Sequence, residues 1–380
     1  MKVGSILAGV LLAGAAALAA GAARADSVQV GMITDHTGDA ADYTKVLEKG
    51  IELALKEVNA SGGVLGKPLE FLWENDENKP PLSATKAHKL VDAGVPLIVQ
   101  LSSSPAVLQA ETVTLETKTP HLAPNQSGDT LTTKIDNPYF FQMGPLGSIQ
   151  IKTLMAFAKT KYKRVALITD SSGLGILIKD TFKAGLQQAG IEIVSETIIE
   201  TGTTDAVPQL QRMRATNPEA VFQASVTTAE MALFFRGYRQ LGLTYPVLGS
   251  FNLSLPIYLE LLPGMLEGVY FVDVFDPDKP ESKAFIAAYE KNFKETPYSL
   301  PAYGYDAVRL VADVIKRAGS LDKEKIRQAF DDTRDYHSVI GAKGTTINFS
   351  PQDRRGFPPN GAVVRVIENN KHGPAIFSGN

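Results

Sequence analysis

Short apolar runs alternate with segments of helical period along this chain, and the alternation runs through twice. In the first series, residues 28–33, 69–73 and 95–99 read as strands. Residues 43–60, 82–92 and 106–117 carry apolar side chains at helical spacing, and Asn59-Ala60-Ser61-Gly62-Gly63 stops the first of them. His121-Leu122-Ala123-Pro124 adds a short strand. The pattern restarts after Tyr139-Phe140-Phe141, with helices at 149–160, 177–189, 207–215 and 229–241 and strands at 165–169, 191–199, 220–224 and 247–249. A strand at 268–274, helices at 281–293, 302–318 and 321–330, and strand-like stretches at 347–349 and 362–367 complete the reading. Strands alternating with helices imply parallel sheets covered on both faces. A chain of 380 residues exceeds one typical core. The expected fold class is therefore α/β, as two doubly wound parallel-sheet lobes. Ligands of such sheets bind beyond the carboxyl ends of the strands.

Residues 1–25 read as an export signal and are excluded from the fold. Lys2 supplies the positive end, residues 3–20 are apolar and small, and Ala23-Arg24-Ala25 fits the cleavage pattern before Asp26. The expected location is the periplasm, with cleavage after about Ala25. No later stretch reaches the roughly 18 apolar residues of a membrane helix, so direct membrane insertion is not expected. With 38 basic and 41 acidic residues and no basic tract, nucleic acid is not an expected partner. The absence of cysteine excludes a disulfide-stapled fold and thiol chemistry.

One turn stands out as a candidate anion site. Gln100-Leu101-Ser102-Ser103-Ser104-Pro105 lies between the strand at 95–99 and the helix at 106–117. Ser104 suits a helix cap and Pro105 the first helical position. Free backbone N–H groups, serine hydroxyls and the helix dipole favour a carboxylate there, although an ordinary capped helix has the same pattern. Catalytic patterns are weak by comparison. Gly173-Leu174-Gly175 has Ile178 where a dinucleotide fingerprint needs its third glycine, and Gly66-Lys67 is followed by Pro68 rather than Ser or Thr. Asp273, Asp276 and Asp278 lack the glycine of a calcium loop and are interrupted by Pro277. His36, His88, His121, His337 and His372 are scattered without metal spacing. No enzyme, metal or cofactor is expected.

The order of motifs resembles the leucine/isoleucine/valine-binding family of type I periplasmic binding proteins, the solute receptors of ABC importers. The resemblance is carried by Thr37-Gly38, Tyr43, Gly50, the segment Asn59-Ala60-Ser61-Gly62-Gly63-Val64-Leu65-Gly66, Asp76, Pro80 and the serine turn. It continues through residues 124–132, 170–175 and 236–243 to Tyr303-Gly304-Tyr305-Asp306-Ala307. It implies the type I periplasmic binding protein fold: two lobes around an interlobe cleft, joined by three crossovers and closing like a hinge. The implied boundaries are 26–144 with 275–335 for lobe 1, and 145–274 with 336–380 for lobe 2. The implied partners are a small-molecule carboxylate and the permease and ATPase subunits of an importer, with the receptor itself a monomer.

The same resemblance places the ligand carboxylate on Ser103 and Ser104, with the backbone of Gln126 and the hydroxyl of Ser127 completing the clamp and Tyr43 lining the pocket. Ser127 as a plain turn residue and Tyr43 as a core aromatic are the alternatives. The second lobe departs from the family. Phe251 stands where the amino-acid binders place a glutamate for the ligand ammonium, and Leu174 and Thr227 replace their tyrosines. A desolvated ammonium without a carboxylate partner costs several kcal/mol. The leading expectation is therefore a receptor for a hydrophobic, aromatic carboxylate, with Phe251 packing on it. The alternatives are a receptor for branched-chain or related amino acids, with Asp273 or Glu230 supplying the missing charge, and an exported α/β enzyme using the same cleft.

Overall fold

The computed structural model describes residues 27–379, so the export signal read at residues 1–25 lies outside the described residues. The first half begins with β1 (Val28–Thr34), α1 (Ala41–Ala60), β2 (Leu69–Asn75), α2 (Pro80–Asp92) and β3 (Ile98–Gln100). It continues with α3 (Ser104–Glu116), β4 (His121–Ala123), α4 (Leu131–Lys134) and β5 (Phe140–Gln142). These strands form a five-stranded sheet in the order β2-β1-β3-β4-β5, parallel throughout. Val28, Val30, Met32 and Ile33 of β1 are fully buried, as a strand covered on both faces requires.

The second half opens with α5 (Gly147–Lys159), β6 (Arg164–Asp170), α6 (Gly173–Gln188), β7 (Glu192–Ile199), α7 (Val207–Ala215) and β8 (Ala220–Gln223). Next come α8 (Thr228–Gln240), β9 (Val247–Gly249), a 3₁₀ turn over Phe251–Ser254, α9 (Pro256–Leu261) and β10 (Tyr270–Asp273). Three helices follow, α10 (Pro280–Phe293), α11 (Ser299–Ala318) and α12 (Lys323–Asp331), and the chain closes with β11 (Val363–Glu368) and β12 (Lys371–Ser378). The second sheet has seven strands in the order β12-β11-β10-β9-β8-β6-β7. It is parallel up to β10, but β11 is antiparallel to both β10 and β12, so its far end departs from the all-parallel expectation.

The structure differs locally from the sequence reading in four places. Helix α6 starts at Gly173 rather than at 177, because the Ser172 hydroxyl caps it by accepting from the Gly175 amide at 3.0 Å. Helix α3 starts at Ser104 rather than at 106, with Ser103 rather than Ser104 at the cap position. The hairpin to β12 is invisible to apolar periodicity. It turns on Asn369 and Asn370, both at positive φ (54° and 55°), into a strand containing Gly373 and Pro374. The stretch at 347–349 makes only an isolated bridge, Ile347 to Tyr336.

Helices α10, α11 and α12 turn back to the five-stranded sheet's side. Helix α11 lies against α1 at two glycine notches. A Cβ at Gly50 would sit 1.8 Å from the Pro301 carbonyl oxygen, and one at Gly304 would sit 2.1 Å from that of Leu47. The Tyr305 hydroxyl also donates to Glu57 at 2.5 Å. The segment after α12 serves both sheets. Gly356 donates to the Gln142 carbonyl at 2.8 Å and Gln142 to that of Arg354 at 2.9 Å, on the free edge of β5, whereas β11 and β12 belong to the second sheet.

Candidate functional site

The carboxyl ends of β1, β3 and β4 are neighbours in the five-stranded sheet, and the polar loops leaving them form one wall. After β3, Ser103 occupies the cap position of α3 (φ −59°, ψ 159°), but its side chain makes no capping hydrogen bond. Its amide donates to Asn78 Oδ1 at 2.8 Å, so this backbone group is already engaged and the hydroxyl is what Ser103 offers a ligand. Asn78 is a residue the sequence reading passed over; it sits in the loop after β2 at positive φ (55°). Ser104 opens α3 and abuts the next loop, where a Cβ at Gly128 would lie 2.9 Å from its Oγ. Ser102, just upstream, is buried, and its hydroxyl has no hydrogen-bond partner.

The loop after β4 is locked to that turn by a side chain. Gln126 is buried, and its Nε2 donates to the carbonyls of Ser102 at 2.6 Å and Gln100 at 3.1 Å. The Gln126 carbonyl accepts from Gln142 Nε2 at 3.0 Å, which ties in β5 as well. Ser127, next along, is exposed, with its carbonyl held by the Gly147 amide at 2.9 Å. Tyr43 reaches the same wall from the first turn of α1. Burial pushes its phenol up to about 12, against a hydrogen bond to the Asn125 side chain, so it stays a neutral O–H donor. Asp35, at the end of β1, accepts from the amides of Thr37 and Ala40 at 3.0 and 2.8 Å, and from that of Gly38, fixing the loop that leads into α1. Tyr43, Ser103, Ser104, Gln126 and Ser127 thus share one sheet end.

Leu174, Thr227 and Phe251 lie at the carboxyl ends of β6, β8 and β9 in the second sheet, which form a second wall of polar loops. Leu174 is 57 % exposed in the first turn of α6, Thr227 is the cap residue of α8, and Phe251 opens the 3₁₀ turn half-buried. Among the described residues no hydrogen bond joins these three to the first group, as separate sheets dictate.

Asp170, the last residue of β6, organises this second wall. It is fully buried. It accepts from the Val226 amide at 2.6 Å, the Thr227 amide at 3.1 Å, the Ser172 amide at 3.0 Å and the Ser172 hydroxyl. Burial works to raise its pKa, but these donors outweigh it and hold the carboxyl below its usual range. Glu230, in the first turn of α8, is also buried. The burial penalty is again outweighed, here by the Thr227 side chain and the Gly202 amide, and it too is held low. Asp273 is already committed, since its carboxylate pairs with Arg365 at 2.9 Å and accepts from the Val274 amide at 2.7 Å. Of the two acids offered as a source of charge, Asp273 is thus spent internally, whereas Glu230 stands beside Asp170 behind the wall.

Among the described residues no cluster of three or more His, Cys, Asp or Glu side chains is placed to hold a metal ion. Gly173 and Gly175 lie inside a capped helix turn, where Gly175 packs on Asp170. No described helix is long and apolar enough to cross a membrane.

A family profile described as periplasmic binding protein matches residues 27–371. The chain is 27 % identical to "Leu/Ile/Val-binding protein homolog 3" of Brucella melitensis over 326 residues, 85 % of this chain and 88 % of the relative. Its fold is similar to the branched-chain amino acid transporter substrate binding protein LivJ of Streptococcus pneumoniae in complex with isoleucine. That match has a TM-score of 0.77 and 23 % identity, covering 92 % of this chain and 99 % of that one. It is also similar to a solute binding protein of an ABC transporter from Rhodopseudomonas palustris in complex with 3,4-dihydroxy benzoic acid, with a TM-score of 0.74 and 24 % identity, covering 93 % and 98 %.

Proposed function

Because the chain belongs to the periplasmic binding protein family, we propose that it is the solute receptor of an ABC importer and closes its two lobes on an amino acid with an apolar side chain. The ligand carboxylate sits on the hydroxyls of Ser103, Ser104 and Ser127 and on the backbone at Gln126, with Tyr43 beside it. The ammonium end turns to the second wall, formed by Leu174, Thr227 and Phe251. Lobe 1 comprises residues 26–144 with 275–335, extended by the edge segment at 354–356, and β11 and β12 complete lobe 2. The receptor works in the periplasm as a monomer and delivers to a permease driven by an ATPase.

The single observation that carries the ligand class is the pair Asp170 and Glu230. Two buried carboxyl groups held in their charged form make the second wall electronegative, which favours a cation and disfavours a second carboxylate. The names of the relatives support the same class. This reverses the order of ligands expected from the sequence, in which Phe251 in the glutamate position put an aromatic carboxylate first. That second reading keeps one structural support, the half-buried Phe251 ring at the end of β9, and one relative whose bound ligand is a dihydroxybenzoate.

Calorimetry on the refolded, ligand-stripped protein separates the two. Leucine binding tightly while 3,4-dihydroxybenzoate gives no heat is the expected result, and the opposite pattern assigns the cleft to aromatic acids. Turnover of either compound would instead point to an enzyme.

A further inference from the structure

Two buried charged side chains outside the cleft hold one stretch of main chain. Lys279 is 1 % exposed and donates from Nζ to the carbonyls of Ile340 and Thr345, both at 3.0 Å. Asp306 is fully buried on α11 and accepts from the amides of Val339 at 2.8 Å and Ile340 at 2.9 Å. Ser282 of α10 adds a bond to the Val339 carbonyl at 3.0 Å, and Asp276 takes the Lys343 amide at 3.0 Å. Both charges are therefore spent on the same crossover, residues 339–345, and burying them is expensive unless that grip is kept.

On its other side the crossover meets chain that leads to the second sheet. Gly341 donates to the Val274 carbonyl at 2.6 Å, and Ala342 to that of Gly361 at 2.7 Å. Val274 directly follows β10 and Gly361 precedes β11, so these two bonds form a narrow ladder between the sheets. Gly341 sits at φ +99°, where a Cβ would meet Thr345 Oγ1 at 2.7 Å, so the backbone there has a freedom that other residues lack. The crossover is thus gripped on both sides of Gly341, at Val339 and Ile340 before it and at Lys343 and Thr345 after it.

We infer that Lys279 and Asp306 are positioning residues that clamp residues 339–345 to the α10–α11 pair, so that lobe closure pivots at the ladder of Val274, Gly341, Ala342 and Gly361. Without the clamp the crossover moves independently of the first lobe, and the lobes sample many orientations instead of one hinge path. The clamp acts in the unliganded protein, so it does not depend on which solute the cleft takes.

The chain has no cysteine, so two can be introduced for spin labels: Gln109→Cys, exposed on α3, and Arg212→Cys, exposed on α7. Inter-label distances in the ligand-free protein are expected to be narrowly distributed. Lys279→Met and Asp306→Asn should each widen that distribution at least twofold, measured well below their melting temperatures. Ile326→Ala in the buried face of α12 serves as a control for lost stability alone and should leave the width unchanged. If Lys279→Met does not fold, the near-isosteric Asp306→Asn carries the test. Unchanged widths in the folded clamp variants, or equal widening in Ile326→Ala, would overturn the assignment.

Discussion

Gln126 donates its side-chain amide to the Ser102 carbonyl at 2.6 Å, stitching the loop after β4 to the serine turn after β3. A second bond from the same nitrogen reaches the Gln100 carbonyl at 3.1 Å. Removing this side chain strands two main-chain acceptors inside the lobe. Gln126→Ala is expected to destabilise the protein by about 1–3 kcal/mol, the cost of leaving buried polar groups unpaired. Leucine affinity should fall with it, because the two halves of the clamp lose their register. Denaturant unfolding and calorimetry check both, and a variant as stable as the parent would show that the stitch has no weight.

Ser127 tests the clamp itself, because it is exposed and its carbonyl, not its hydroxyl, is used internally. Ser127→Ala should leave stability within about 0.5 kcal/mol of the parent, as surface changes do. Its leucine affinity should drop by about 1.5–3 kcal/mol for a charge-assisted bond to a carboxylate, or by about 0.5–1.5 for a neutral one. Unchanged affinity would remove Ser127 from the site.

Asp170 tests the electronegative second wall. In Asp170→Asn the amide nitrogen replaces one of two oxygens that accept from main-chain N–H groups and the Ser172 hydroxyl, so some stability is lost. The informative quantity is a ratio. Affinity for leucine should fall more than affinity for 4-methylpentanoate, which has the same apolar body and carboxylate but no ammonium. Equal losses would mean that the ammonium does not sense this wall.

Glu111 and His121 give the first lobe a pH signature. Glu111 is fully buried in α3 with neither carboxylate oxygen partnered, and burial pushes it up to about 8. His121 on β4 is equally buried and pushed down to about 3. Between the ordinary value of 4.5 and about 8, the folded protein keeps a proton on Glu111 that the unfolded chain releases. Stability from this group therefore falls as pH rises, by up to about 1.4 kcal/mol per unit. His121 acts in the opposite sense below the ordinary 6.5, where the unfolded chain is the one that gains a proton. The two partly cancel in acid, and the fall emerges above about 6.5. Glu111→Gln should remove it, so the gap between variant and parent in denaturant unfolding widens from pH 5 to 8. A constant gap would mean that Glu111 is already ionised in the fold.

The two alternating series were legible because β1 and β2, α1, α7 and β9 obey their periods closely, and the serine turn was legible because Ser and Pro mark helix starts. The contacts that finish the site were not. Asn78 reaches Ser103 from another loop, and the Gln126 side chain ties its own loop to the carbonyls of Gln100 and Ser102. Neither contact has a local spacing, since both depend on which strands lie side by side. The charge on the second wall was missed for a related reason. Phe251 suggested an apolar pocket, while Asp170 and Glu230 lie behind the surface, where only burial and donor count reveal their ionisation. Helix α6 hid its start behind two glycines, and β12 hid behind Gly373 and Pro374.

The cleft is proposed to grip a small acid by its carboxylate, seated on hydroxyls and amides at the ends of β3 and β4. Titration calorimetry with leucine, leucinamide and 4-methylpentanoate tests it most directly. Leucine should bind, 4-methylpentanoate should bind more weakly but measurably, and leucinamide, with the carboxylate masked, should give no heat. Leucinamide binding as tightly as leucine would contradict the account.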